Sequence, residues 1–176
     1  MDNMAFLNAV DTTLKIEGGK VIDSDGLTNR GITEPFLAEA QRQWPEDLDI
    51  QAMTIKNISE AQAIKLYKLQ VWDKLALDRI QKRPQLQSKI FDVAVNLGNY
   101  HSIHLLQNAL MDAGGERLKC DGILGPVTVQ AVNWCCEPDV LRWYKVSLIS
   151  RYYTIIKAYP EKTRYIRGWI WRAVGD

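Results

Sequence analysis

The chain has 176 residues, 47% of them apolar and 24% charged, which fits one globular domain with at most a small appendage and excludes intrinsic disorder. Its 22 Lys and Arg against 21 Asp and Glu leave a net charge of +1, so no whole-molecule field steers it to nucleic acid or an anionic membrane. No apolar run approaches the roughly 20 residues that span a bilayer, and Met1-Asp2-Asn3-Met4 carries an acid where a secretory leader carries Lys or Arg.

Phe6, Val10, Thr13 and Glu17 share one helical face, which predicts an amphipathic helix over 4–17, ended by Gly18-Gly19. Residues 20–33 mix Val21, Ile22, Leu27 and Ile32 with Asp, Gly, Ser and Asn, and read as a turn between short strands. Thr33 can cap a helix with Pro35 in its first turn that runs toward Trp44-Pro45. Ser59-Glu60-Ala61-Gln62 has the form of a capping box, followed by Ile64, Tyr67, Val71 and Leu75 on one face.

After Pro84, Leu86, Ile90, Val93 and Leu97 repeat the helical period up to Gly98, and 102–110 can form another helix before Gly114-Gly115. Gly125-Pro126 opens a short helix through Val132, and Glu137-Pro138-Asp139 a longer one through Leu141, Tyr144, Leu148 and Tyr152. A last segment holds Tyr165, Trp169 and Trp171. The expected fold is mainly α, a helical bundle with a small β-hairpin near 20–33. The best subdomain boundary lies within 112–121.

Glu17 stands out on physical grounds. It continues a core-facing stripe at a helix C-terminus, where desolvation and the negative end of the helix dipole both favour the protonated acid. A carboxyl kept protonated near neutral pH can protonate a glycosidic leaving oxygen. Gly18 can supply a left-handed cap, and Gly19 removes a side chain that would obstruct an approaching polymer. The bland alternative is a solvated residue beside an ordinary glycine cap. Asp23 and Asp25 in the following turn can bring a second carboxylate toward Glu17, or bond only their own backbone.

Glu17-Gly18-Gly19, then Thr28-Asn29-Arg30-Gly31-Ile32-Thr33, then Phe91-Asp92-Val93-Ala94-Val95-Asn96-Leu97-Gly98 resemble glycoside hydrolase family 108 in content and order. That family contains N-acetylmuramidases with a lysozyme-like fold, several of them phage endolysins. Leu106-Gln107, Asp121-Gly122-Ile123-Leu124-Gly125-Pro126-Val127-Thr128 and Gly168-Trp169 with Arg172 resemble the peptidoglycan-binding-type region that accompanies it. The resemblance implies a catalytic region over 1–111 and a wall-binding region over 112–176, packed together. It implies Glu17 as the catalytic acid and Thr28 in the facing hairpin, where its hydroxyl would position the attacking water. Lys20 stands where the family usually has an aromatic, and the acidic loop is shorter than usual. Asp23 matches the family aspartate when Thr28 is fixed, and Asp25 is sterically as plausible.

Asp92 and Asn96, four apart on one helix, either face a cleft or tie the helix to its neighbours, and Asp92 fits the tie better. Asn96, Thr33, Asp25 and Trp169 are the candidate substrate contacts. His101 and His104 have ligand-like spacing without a recognisable third ligand, so no metal site is expected. The basic residues Lys157, Lys162, Arg164, Arg167 and Arg172, interleaved with aromatics, could engage nucleic acid or the anionic wall, with a solvated helix face as the default. Cys120, Cys135 and Cys136 read as free thiols, because adjacent cysteines pair only with strain.

The expectation is therefore a peptidoglycan hydrolase that cleaves the MurNAc-GlcNAc β-1,4 bond. It needs no cofactor and is a monomer whose partner is the glycan strand, not nucleic acid. It is made in the cytoplasm without a signal peptide and reaches the wall by release or export. The rivals are a non-catalytic wall-binding module and a helical nucleic-acid-binding protein.

Overall fold

Helix α1 spans Met4–Glu17 in the computed structural model, which describes residues 4–17, 20–23 and 26–175, with side chains at 4–15 and 28–175. Its inner stripe is Phe6, Ala9, Val10 and Thr13, all at most 2% exposed. The Phe6 ring meets the Trp72 ring edge-on, with centroids 5.5 Å apart. The Thr13 hydroxyl is buried and has no hydrogen-bond partner among the described residues.

The chain packs as two compact units, Met1–Asp78 and Arg79–Asp176. This packing boundary precedes the functional division expected from the sequence, which lies after residue 111.

In the first unit, β1 (Lys20–Asp23), β2 (Gly26–Asn29) and β3 (Ile32–Thr33) form an antiparallel sheet in that order. The expected hairpin is thus extended by a third strand too short to show alternation in sequence. Arg30 (φ 53°) and Gly31 (φ 73°) make the two-residue turn between β2 and β3, and two positive φ values match the twist of the flanking strands. A non-glycine residue at positive φ needs support. Here the Tyr67 hydroxyl donates to the Arg30 carbonyl at 2.9 Å, and the Arg30 guanidinium reaches Glu60 at 3.1 Å.

Thr33 caps α2 (Glu34–Gln43), its hydroxyl accepting from the Phe36 amide at 3.3 Å. A short helix not foreseen from sequence, α3 (Leu48–Ala52), is capped by Asp47. Helix α4 (Glu60–Tyr67) opens on a complete capping box: the Ser59 hydroxyl accepts from the Gln62 amide, and Gln62 accepts from the Ser59 amide at 3.0 Å. The expected stripe holds at Tyr67, Val71 and Leu75. Residues Lys68–Asp73 form a wider π-helical stretch, and the buried set is Ala63, Leu66, Tyr67, Gln70, Val71, Trp72 and Leu75, with Ile64 only half-buried. Val71 and Trp72 both lie buried within it, and the Trp72 indole donates to Asp78 at 2.9 Å.

The second unit consists of α5 (Pro84–Leu97), α6 (Asn99–Asp112), α7 (Pro126–Trp134), α8 (Glu137–Ala158) and α9 (Ile166–Val174). Gly98 (φ 86°) alone joins α5 to α6, donating to the Ala94 carbonyl at 2.9 Å and accepting from the Ser102 amide at 3.1 Å. A side chain would strain this left-handed backbone. Leu86, Ile90, Ile103, Leu106, Tyr144 and Leu148 fill the core. Within it, the Ser102 hydroxyl lies 2.8 Å from the Ile90 carbonyl, and the Tyr144 hydroxyl donates to the Ser102 carbonyl at 3.0 Å. Burial pushes the Tyr144 phenol far above its ordinary range.

Asp121-Gly122-Ile123-Leu124-Gly125 is a loop clipped onto α6, and Pro126-Val127-Thr128 open α7. The buried Gln107 donates to Asp121 at 3.0 Å and to the Ile123 carbonyl at 3.1 Å, and accepts from the Gly122 amide at 2.9 Å. Gly122 sits at φ 70°, and a Cβ there would lie 2.4 Å from the Tyr100 ring. These residues build a turn. No helix among the described residues is long and apolar enough to cross a membrane.

His101 accepts from Arg151 at 3.1 Å, and its pKa is lowered, first by burial and then by the Arg151 charge. An imidazole with a depressed folded-state pKa binds its proton more readily in the unfolded chain. Its contribution is present above the unfolded value of 6.5 and is lost as pH falls through the folded value. The melting temperature is therefore expected to drop as pH falls below 6.5, and His101→Gln, which can still accept from Arg151 but cannot titrate, should reduce that slope. Thermal melts across this range check it; equal slopes for both proteins would contradict it.

Candidate active site

Glu17 is the last residue of α1, three residues before β1 begins at Lys20. Gly18, Gly19 and Asp25 lie outside the described residues, as do the side chains of Glu17 and Asp23. The sheet register is Lys20 with Asn29, Val21 with Thr28, Ile22 with Leu27 and Asp23 with Gly26, then Thr28 with Thr33 and Asn29 with Ile32.

Cross-strand partners share a sheet face, and alternate positions along a strand return to it. Val21, Thr28 and Thr33 therefore form one row, with the Asp23 position on the same face. Lys20, Asn29 and Ile32 occupy the opposite one. That second face is the anchored one: Ile32 is fully buried, and Asn29, only 4% exposed, donates to the Ile55 carbonyl at 2.8 Å. Thr28 is half-buried and Thr33 exposed.

The sequence block from Thr28 to Thr33 thus divides its work. Asn29, Arg30, Gly31 and Ile32 fix the sheet to its unit, Thr28 faces away from the anchored side, and Thr33 begins α2. The Thr33 hydroxyl already accepts the Phe36 amide, so its established contact is a helix cap. Sequence reasoning did not foresee the supports under the turn, Tyr67 and Ile55.

In the second unit, Asn96 and Trp169 come together through a residue read from sequence only as part of a helix stripe. The Tyr152 hydroxyl donates to the Asn96 carboxamide oxygen at 2.8 Å, and its ring stacks on Trp169 with centroids 5.0 Å apart. Tyr165 continues the stack, 6.0 Å from Trp169. Nothing in the spacing of α8 would single out Tyr152.

Asp92 is tied internally: Arg172 donates to it at 2.8 Å, and both side chains are nearly buried. Arg172 therefore does not belong to an exposed basic face. Lys162 lies over the Tyr159 ring and Arg164 over the Tyr165 ring. His104 pairs with Asn108, and no group of three potential metal ligands occurs among the described residues. Cys120, Cys135 and Cys136 are free, with burial raising the thiol pKa of Cys120 and Cys135.

Comparison with known proteins gives a consistent assignment. The family model for glycosyl hydrolase 108 matches residues 10–98, and a predicted peptidoglycan domain matches residues 101–174. No curated protein matches the chain. Among solved structures, the structure of Brucella abortus SagA superposes with a TM-score of 0.72 at 22% identity, covering 98% of this chain and 91% of that one. The likeness to SagA establishes the shared, mainly α, lysozyme-like fold. With more than half its length matched by one family and most of the remainder by a peptidoglycan domain, the chain belongs to glycosyl hydrolase family 108 and is a glycoside hydrolase acting on peptidoglycan.

Proposed function

We propose that this enzyme is an N-acetylmuramidase that cleaves the β-1,4 bond between N-acetylmuramic acid and N-acetylglucosamine, with Glu17 as its general acid. One observation carries the reading. The stripe of α1 is buried through Thr13, whose hydroxyl has no hydrogen-bond partner among the described residues, and the next position on that stripe is Glu17, just before the three-stranded sheet. That position continues the stripe by one helical turn.

In the proposed reaction Glu17 gives its proton to the glycosidic oxygen as the C1–O bond breaks and positive charge develops at C1. Water adds to C1 and leaves a reducing muramic-acid end. Thr28, on the open face of the sheet, orients that water, and Asp23, on the same face, accepts its proton or balances the charge. Asp25 remains the competing carboxylate. Thr33, Asn96 and Trp169 are the proposed substrate contacts. Residues 1–111 supply catalysis and 112–176 hold the wall. No cofactor takes part in this chemistry, and a monomer suffices.

The same reading makes the protein endolysin-like, delivered to the wall from the cytoplasm by release or export. Purified sacculi test it: turbidity should fall as new reducing ends appear. Co-sedimentation with sacculi and no clearance would instead favour a binding module, the rival suggested by the short acidic loop.

A further inference from the structure

The second unit contains a cleft of about 440 Å³ between the outward side of α7 and the turn over 113–118, floored by Leu110 and Val140. Its volume lies in the range of small-ligand clefts, roughly 300–1,000 Å³. Helix α7 turns Thr128, Val129 and Val132 to the core, yet its other side is also apolar. Val127, Ala131 and Trp134 recur there at helical spacing, with Gln130 between them, and all four line the cleft. Trp134 is 83% exposed and Val127 67% exposed, so core packing does not account for either.

The charge of the lining narrows the ligand. Glu116 is its one acidic side chain, and it contains no Lys, Arg or His. A stem peptide, rich in carboxylates, would meet a like charge with no cation to offset it. A neutral N-acetylated sugar fits better: the apolar face of a pyranose covers an indole, hydroxyls donate to a carboxylate, and an acetamido group exchanges two hydrogen bonds with a carboxamide.

We infer that this cleft of the second unit is a glycan subsite in which Trp134 stacks on an N-acetylglucosamine ring while Gln130 and Glu116 bind its polar edge. The inference rests on the peptidoglycan reading and adds the part of the wall polymer held by the second unit.

The test uses the full chain carrying Glu17→Gln, to prevent turnover, and a β-1,4-linked N-acetylglucosamine tetramer as probe. In nitrogen-15 spectra, the indole signal absent from the additional Trp134→Ala variant identifies Trp134. The tetramer should shift that signal together with the amides of Leu118 and Val127, and Trp134→Ala should weaken the response of those two amides by about tenfold, the equivalent of 1.4 kcal/mol. Because Trp134 is exposed, an unchanged melting temperature should accompany the loss. Gln130→Ala should weaken binding through a second, independent contact.

A Trp134 signal that stays fixed while the tetramer shifts other residues overturns the inference, as does a response to free stem peptide in place of the sugar. Clearance of sacculi by the wild-type chain is scored separately. If sacculi clear and the cleft is silent, only the subsite fails; if the cleft responds and sacculi remain intact, only the hydrolase reading fails.

Discussion

Glu17→Gln is expected to slow solubilisation of purified sacculi by about 10²–10⁴-fold, the range in which a positioned general acid contributes. Glutamine keeps the size and hydrogen-bonding reach of the side chain and removes only the transferable proton. The substitution lies at the C-terminus of α1, beyond the buried Phe6, Ala9, Val10 and Thr13, so helix content and melting temperature should be preserved. The variant should still sediment with sacculi, because the residues matched by the peptidoglycan domain are untouched. Clearance rates measured at equal bound enzyme therefore separate chemistry from adsorption. An unaltered rate would remove Glu17 from the mechanism.

A second large effect is expected on stability. Asp92→Ala should destabilise the protein by about 3–5 kcal/mol, because it leaves a buried guanidinium without its counter-charge. Arg172 contacts Asp92 at 2.8 Å, with side chains 8% and 10% exposed, and joins α9 to α5. Lys89 adds a third charge, 3.9 Å from Asp92, and donates to the Gly175 carbonyl at 3.1 Å and to the Arg172 carbonyl. Urea unfolding measures the loss. Replacing both partners with apolar residues, Asp92→Leu with Arg172→Met, should recover part of it, since the guanidinium is then removed with its carboxylate while buried Lys89 still loses the Asp92 charge. A midpoint unchanged in Asp92→Ala would mean that the pair contributes little, and would reopen a substrate-binding role for Asp92.

The parts of the fold legible in sequence are those where a local signal and the tertiary environment agree. Ser59 and Gln62 form the capping box that their spacing announces, Gly98 ends α5, and Thr33 with Pro35 opens α2. The misreadings have different physical origins. On α4 and its continuation the stripe holds at Tyr67, Val71 and Leu75, whereas Ile64 is only half-buried and tertiary packing adds Trp72 within the π-helical stretch. The third strand escapes notice because two residues cannot alternate, and because its turn is built on Arg30 rather than on the Asn or Asp that usually marks positive φ.

The candidate site was legible in a similar proportion. The block from Thr28 to Thr33 marks the sheet from sequence, but only the register reveals that Thr28 and the Asp23 position share the face opposite the anchored one. Asn96 and Trp169 could be named from residue type, whereas Tyr152, which joins them, lies 56 residues from Asn96 and carries no local mark. Of the two readings of Asp92, the structural one is supported by its contact with Arg172.

The most direct measurement is mass spectrometry of muropeptides released from sacculi by the wild-type chain and by Glu17→Gln, after borohydride reduction. The wild-type products should carry reduced muramic-acid ends, and the Glu17→Gln digest should lack them at matched times. Reduced glucosamine ends, or muramic-acid ends released equally by both proteins, would contradict the assignment of bond and acid.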